Sequence, residues 1–361
     1  MSQSQTSNGK RRPWKRFVLA AGISLGIVLL LCWKTGTKIS EVAHEFRHPD
    51  APLLVGLAFL ISAAIHILAG AHKWYLILRG MGCDTTYREV LFVRMGSDPV
   101  RIVMPFKTGE LSNIAYFWRR GKLSFARSAS WILFDKALNI GGTFFWLIVG
   151  LVMYLLSAER AQLPQATWVL AFGTGIGIAA LIAGMLPLAS ATVRQAMRRL
   201  ADRLGPRLGG IVVQLLSTFE EIPPRRKAAL LLYGIGFQLR PLIVFYLLVQ
   251  AFGSRFAAVP LWAVLAWGSV VVACSNVPYT EWGTGPREAA LLAVFGSYVK
   301  GESSAVLFAI GILMAVAIHF VPALFGLPLL GSFLSALGTG HAPEVLGNNA
   351  STGDNRDEVA R

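Results

Sequence analysis

The chain has 361 residues, of which 54% are hydrophobic and only 15% charged, with a mean hydropathy of +0.55 and a formal net charge of +15. That balance excludes an ordinary soluble domain and points to repeated crossings of a bilayer. Cys32, Cys83 and Cys274 lie in or beside apolar stretches with no CxxC pair, so neither a disulfide framework nor a zinc site is expected.

The first 16 residues, "MSQSQTSNGKRRPWKR", carry Lys10, Arg11, Arg12, Lys15 and Arg16 and no acidic residue. They precede an apolar run without a small-x-small cleavage site, which reads as an uncleaved anchor with a cytoplasmic basic tail over 1–16. A hydrocarbon core of roughly 30 Å takes about 20 apolar residues in a helix. Stretches of that kind fall near 17–33, 53–78, 128–156, 168–190, 228–251, 259–277 and 304–330. The expected fold is an all-α polytopic integral membrane protein. Seven crossings are accompanied by two re-entrant or broken elements, around 88–118 and 278–299, or the total is eight.

The connection at 191–227 holds eight basic residues against Asp202, Glu220 and Glu221, whereas 34–52 is balanced. This places the former on the cytoplasmic side of the cell (inner) membrane with the N-terminus. Within it, Val193, Met197, Leu200, Leu204 and Leu208 recur at helical spacing opposite Arg199, Arg203 and Arg207, the pattern of an interfacial helix broken near Gly205-Pro206. Topology and anionic head groups account for the basic balance, and no nucleic-acid partner is expected. His66, His72 and His319 read as partnered helix-packing histidines, since no HExxH motif or His/Cys cluster accompanies them. No metal or cofactor is expected. After about residue 332 the Gly/Ser/Asn-rich, charged composition predicts a disordered tail over 333–361, which leaves 17–332 as the membrane domain.

The two broken elements share a pattern. In "MGSDPVRIVMPFKTGELSNIAYFW", Pro105 is followed by Lys107, Gly109 and Glu110; in "CSNVPYTEWGTGPREAALLAVF", Pro278 is followed by Glu281, Gly283, Gly285, Arg287 and Glu288. Each then enters an apolar run, which suggests an internal pseudo-repeat, and corresponding Gly/Pro interruptions in two halves point to a substrate site. With Gly285 as N-cap, Pro286 takes the first helical position and Glu288 the first turn; Thr108 is the comparable cap ahead of Glu110. Freed amides at such starts, with Arg287 or Lys107 alongside, form an anion cradle. Irregular backbone at membrane depth must be buried in protein or line a wet cavity, so the two elements are expected to face each other. Arg101, Asp135 and Arg240, with Asp98 and Lys136, accompany them, because ionisable side chains in spans pair and turn inward.

At these residues the chain resembles the lysylphosphatidylglycerol synthase transmembrane region, or flippase-like, family over most of 15–332. The signature P-x-x-x-G-E-x-x-R is matched by Pro105, Gly109 and Glu110, with Asn113 where arginine is usual; P…G-G-x-G-x-R-E is matched by Pro278, Gly283, Gly285, Arg287 and Glu288, with Trp282 in place of the first paired glycine. The resemblance implies an all-helical bundle that binds amphipathic lipids or moves them between leaflets. The aminoacyl-transferase domain of the synthesising members is not expected here. The preferred reading is therefore a non-enzymatic transporter of an anionic or zwitterionic phospho- or glycolipid. Its alternatives are a membrane enzyme using Glu288, Glu281 or Asp135 as acid or base, and an accessory subunit for a lipid-modifying or glycosyltransferase enzyme. The candidate substrate-binding set is Arg101, Lys107, Gly109, Glu110, Asn113, Asp135, Arg240, Glu281, Gly283, Gly285, Arg287 and Glu288.

Overall fold

The computed structural model describes residues 13–104, 109–156, 191–203, 222–276, 280–301 and 304–338, with scattered positions between 204 and 221. The expected span at 168–190, Pro105, Lys107, Thr108 and Pro278, and the two terminal tails 1–12 and 339–361, lie outside the described residues. Among those described the chain is helical, with a single isolated bridge between Phe256 and Val299.

Four helices are long and apolar enough to cross a membrane. They are α3 (Pro52–Gly80), α6 (Phe125–Leu156), α8 (Arg225–Ala251) and α11 (Ala305–Gly338). A fifth crossing results if α1 (Pro13–Thr35) and α2 (Ile39–Arg47), bent by 99° from each other, count as one broken span. The span expected at 259–277 is a helix of only 14 residues, α9 (Leu261–Cys274), about 21 Å long and short of the hydrocarbon thickness. The basic connection contains α7 (Ala191–Arg203), helical as its periodicity predicts.

The first broken element comprises α4 (Tyr87–Val103) and the nine-residue α5 (Leu111–Arg119). The second runs from α9 through a 3₁₀ turn at Glu281–Gly283 into the ten-residue α10 (Pro286–Phe295). At 1.5 Å per residue, α5 and α10 reach roughly half way across a bilayer.

Close backbone contacts hold these pieces in place. Pro99 inside α4 cannot donate to Met95 O. Helix α11 fills that site with Gly326, where a Cβ would stand 2.1 Å from the Met95 oxygen. Gly150 of α6 lies equally close to α9, its Cβ position 2.2 Å from Ala266 N. Small residues permit such approaches where lipid tails provide no hydrophobic drive between helices.

The boundary expected near 332 is corrected by α11, which continues to Gly338. Phe333 is fully buried and stacks on Tyr116 with ring centroids 5.9 Å apart. It occupies the space that Gly96 leaves, where a Cβ would meet its own Cβ at 2.5 Å. The helix persists past Pro328 because this packing outweighs one lost hydrogen bond. Phe333→Ala is expected to lower stability by about 3–5 kcal/mol. Leu334→Ala, at a position 49% exposed, should barely change it. Melting curves of the two purified variants check this.

Candidate functional site

Two of the crossing helices contain a single π-turn, and both turns border one interior cavity of about 190 Å³. In the turn Ile65–Ala69 of α3, Gly70 N–H bonds to Ile65 O and bypasses His66 O. Arg94 of α4 supplies the missing donor, its Nε 2.6 Å from that carbonyl. In the turn Val316–Phe320 of α11, Val321 N–H bonds to Val316 O and bypasses Ala317 O, which accepts from Ser62 Oγ at 2.7 Å. A π-turn frees backbone acceptors at depth, and the surrounding side chains satisfy them.

The cavity walls carry Lys73, Arg94, Arg101, Lys136, Arg240 and Arg287 against Asp98, Glu110 and Asp135. Lys73 pairs with Asp135 at 2.7 Å, donates to Asn139 Oδ1 at 2.6 Å and lies over the Phe237 ring. Asp98 bridges Arg101 at 3.0 Å and His66 Nε2 at 2.9 Å. Glu110 lies 3.5 Å from Arg101 and pairs with Lys136, the most exposed of the set. Ion pairs of this kind let charge reside in an apolar bundle, because each partner offsets the other's desolvation.

Two guanidinium groups stand apart. Among the described residues neither Arg94 nor Arg240 has a carboxylate within ion-pair distance, although they are only 4% and 8% exposed. Arg94 has the His66 carbonyl and the face of Trp74, 4.3 Å away. It fits there because residue 70 is glycine; a Cβ would lie 2.5 Å from its guanidinium carbon. Arg240 lies just past the break in α8 at Gln238, where Pro241 denies Phe237 O its helical donor. Its Nη1 donates to His66 Nδ1 at 2.6 Å, while its Nε is buried without a partner. A guanidinium can only donate, so His66 Nδ1 is the acceptor and Nε2–H faces Asp98.

The second broken element contributes differently from the expectation. Gly285 does cap α10, at φ 97°, followed by Pro286. Its N–H, however, donates to Glu288 Oε2 at 2.6 Å. Arg287, 2% exposed, donates to Glu288 Oε1 from Nε at 3.0 Å and Nη2 at 2.6 Å, and to Trp282 O from Nη1 at 3.1 Å. Here the predicted anion cradle is filled by the chain's own carboxylate.

Trp282 adopts φ 52° and ψ 21°, the left-handed region that favours glycine. Its ring packs on Phe320 at 4.9 Å. The second broken element is thus a glycine-rich turn and a self-capped half-helix with Arg-Glu in its first turn, and the profile of the lysylphosphatidylglycerol synthase TM region matches residues 17–326. The chain belongs to that family. No curated protein matches it. Trp282 stands where the signature that the sequence resembles has its first paired glycine, a residue that such backbone angles suit.

Of the residues expected from sequence, Arg101, Glu110, Asp135, Arg240 and Arg287 converge on the cavity, so the two broken elements do face each other across it. Gly109 and Gly283 serve close packing, the first on the Arg101 backbone and the second on Ser275. Asn113 is fully buried on α5, its amide atoms have no partner among the described residues, and it does not line the polar cavity. Glu288 faces a second, apolar cavity. Lys107 and the Glu281 side chain lie outside the described residues. Sequence reasoning missed Lys73 and Arg94, and took His66 for a packing residue. A lysine inside the apolar run 53–78 was the available signal for Lys73.

Lys73→Met is expected to destabilise the protein by about 3–5 kcal/mol because it strands a buried Asp135, and Lys73→Met/Asp135→Leu should recover most of that loss. A double-mutant cycle of melting temperatures checks both.

Proposed function

We infer that this family member binds an anionic or zwitterionic lipid by its phosphate-bearing head group in the polar cavity and moves it between the leaflets of the cell membrane. The observation that carries the reading is Arg240, a buried guanidinium that among the described residues has a partnerless Nε and no carboxylate within ion-pair distance, on the wall of a cavity that also holds Arg94. A planar fork with a free donor suits a phosphate oxyanion in geometry and charge. An incoming anion also supplies the direct carboxylate-like contact that neither arginine has among the described residues.

A binding and transport role is favoured over catalysis because the two candidate acid–base groups whose side chains are described are engaged: Asp135 by Lys73, Glu288 by Arg287 and Gly285 N–H. The basic tail and the basic connection around α7 support a cytoplasmic N-terminus in an inner membrane. The half-length α5 and α10, which start beside one cavity at Glu110 and Arg287, support a re-entrant pair related by an internal repeat within seven or eight crossings. A lipid-modifying or glycosyltransferase enzyme acting on the same lipid is the partner that this role suits.

Arg240→Met is expected to cut retention of phosphatidylglycerol by about 10–100-fold, the worth of a hydrogen bond to a charged group. Without lipid its melting temperature should change far less than that of Lys73→Met, since no carboxylate is stranded. Native mass spectrometry of the purified variants, with leaflet exposure in proteoliposomes, checks this. Full lipid retention by Arg240→Met at normal stability would refute the assignment.

A further inference from the structure

The second cavity, about 340 Å³, shares Trp282 with the polar one. Its walls are almost entirely hydrocarbon. Val28 and Cys32 of α1 face Phe308 of α11, and Leu25, Leu29 and Ile312 form a rim whose side chains are 59%, 45% and 42% exposed. In a membrane protein such a rim is in contact with lipid tails. The cavity's carboxylate, Glu288, is already engaged by Arg287 and by Gly285 N–H. Helix α1 is seated against the turn that precedes α10, where a Cβ at Gly285 would come within 2.9 Å of Ile27. The 99° bend into α2 then closes the cavity with Val42.

We propose that this apolar cavity seats one hydrocarbon chain of the lipid whose head group occupies the polar cavity, with Trp282 as the wall between head and chain. The pairing with a head group rests on the reading of Arg240 given above; the chain seat rests on the cavity's own walls. A void so poor in polar partners does not hold water and takes hydrocarbon instead. An indole suits the boundary, having an apolar body and one polar edge. The Trp282 N–H is buried without a partner among the described residues. An ester carbonyl at the junction of head and chain is the acceptor that a lipid placed across Trp282 brings to it.

The test compares dioleoyl with dihexanoyl phosphatidylglycerol on the purified protein by native mass spectrometry. Val28→Trp, which fills the cavity, should lower retention of the dioleoyl lipid about tenfold and leave the dihexanoyl lipid unaffected. Dioleoyl retention equal to wild type in Val28→Trp overturns the chain seat, whatever Arg240→Met does. A loss caused by Val28→Trp, together with indifference to Arg240→Met, upholds the chain seat and refutes the head-group reading instead. Photocrosslinking of the wild-type protein with a phosphatidylglycerol carrying a diazirine near its chain end decides the matter independently of any variant's folding. Adducts within 24–32 and 308–312 support the proposal, and adducts confined elsewhere overturn it.

Discussion

A guanidinium with no carboxylate in direct contact inside a bundle of membrane-spanning helices costs several kcal/mol, and among the described residues this structure holds two of them. Arg94 is accommodated by a π-turn that frees the His66 carbonyl and by the missing side chain of Gly70. Arg240 is held at one nitrogen by His66, whose other nitrogen is anchored by Asp98, which is shared in turn with Arg101. The chain continues through Glu110 to Lys136. Removing any inner member leaves a charge or a donor stranded, so the network behaves as a unit. Among the described residues, what is left unfinished is one donor on Arg240 and a carboxylate in direct contact with either arginine.

On the reading proposed above, the two cavities divide the chemistry of an amphiphile between them. The polar one offers donors and excess positive charge; the apolar one, across Trp282, offers carbon walls that open between α1 and α11. The Arg287–Glu288 pair lies at the same junction and locks the start of α10, so that half-helix is rigid where the two cavities adjoin. A glycine at 282 would adopt the turn without strain, and the tryptophan in its place provides the wall.

Much of this was legible in the sequence. The long apolar runs of α3, α6, α8 and α11 mark crossings because length and hydropathy alone decide them. The Gly/Pro interruptions around 105–110 and 278–288 mark the broken elements, and the inward charges Arg101, Asp135 and Arg240 mark the cavity. The rest depended on distance in three dimensions. Whether Arg287 is free or paired turns on a neighbour one residue away that is equally compatible with a helix cap. The role of His66 arises from a π-turn, which no periodicity announces, and Lys73 meets its partner across 62 residues of chain. The end of α11 was misplaced because composition after 332 resembles a tail, while Phe333 is fixed by Gly96 on another helix. The shortness of α9 was hidden because the apolar run begins before its first turn, at Ala257, Ala258 and Val259.

The central claim is that Arg240 is left incomplete for a phosphate. A cryo-electron microscopy map of the protein in phosphatidylglycerol nanodiscs tests it most directly. The account predicts a head-group phosphate at hydrogen-bond distance from the Arg240 guanidinium. A map in which a protein group completes Arg240 Nε and no head group enters the cavity would contradict it.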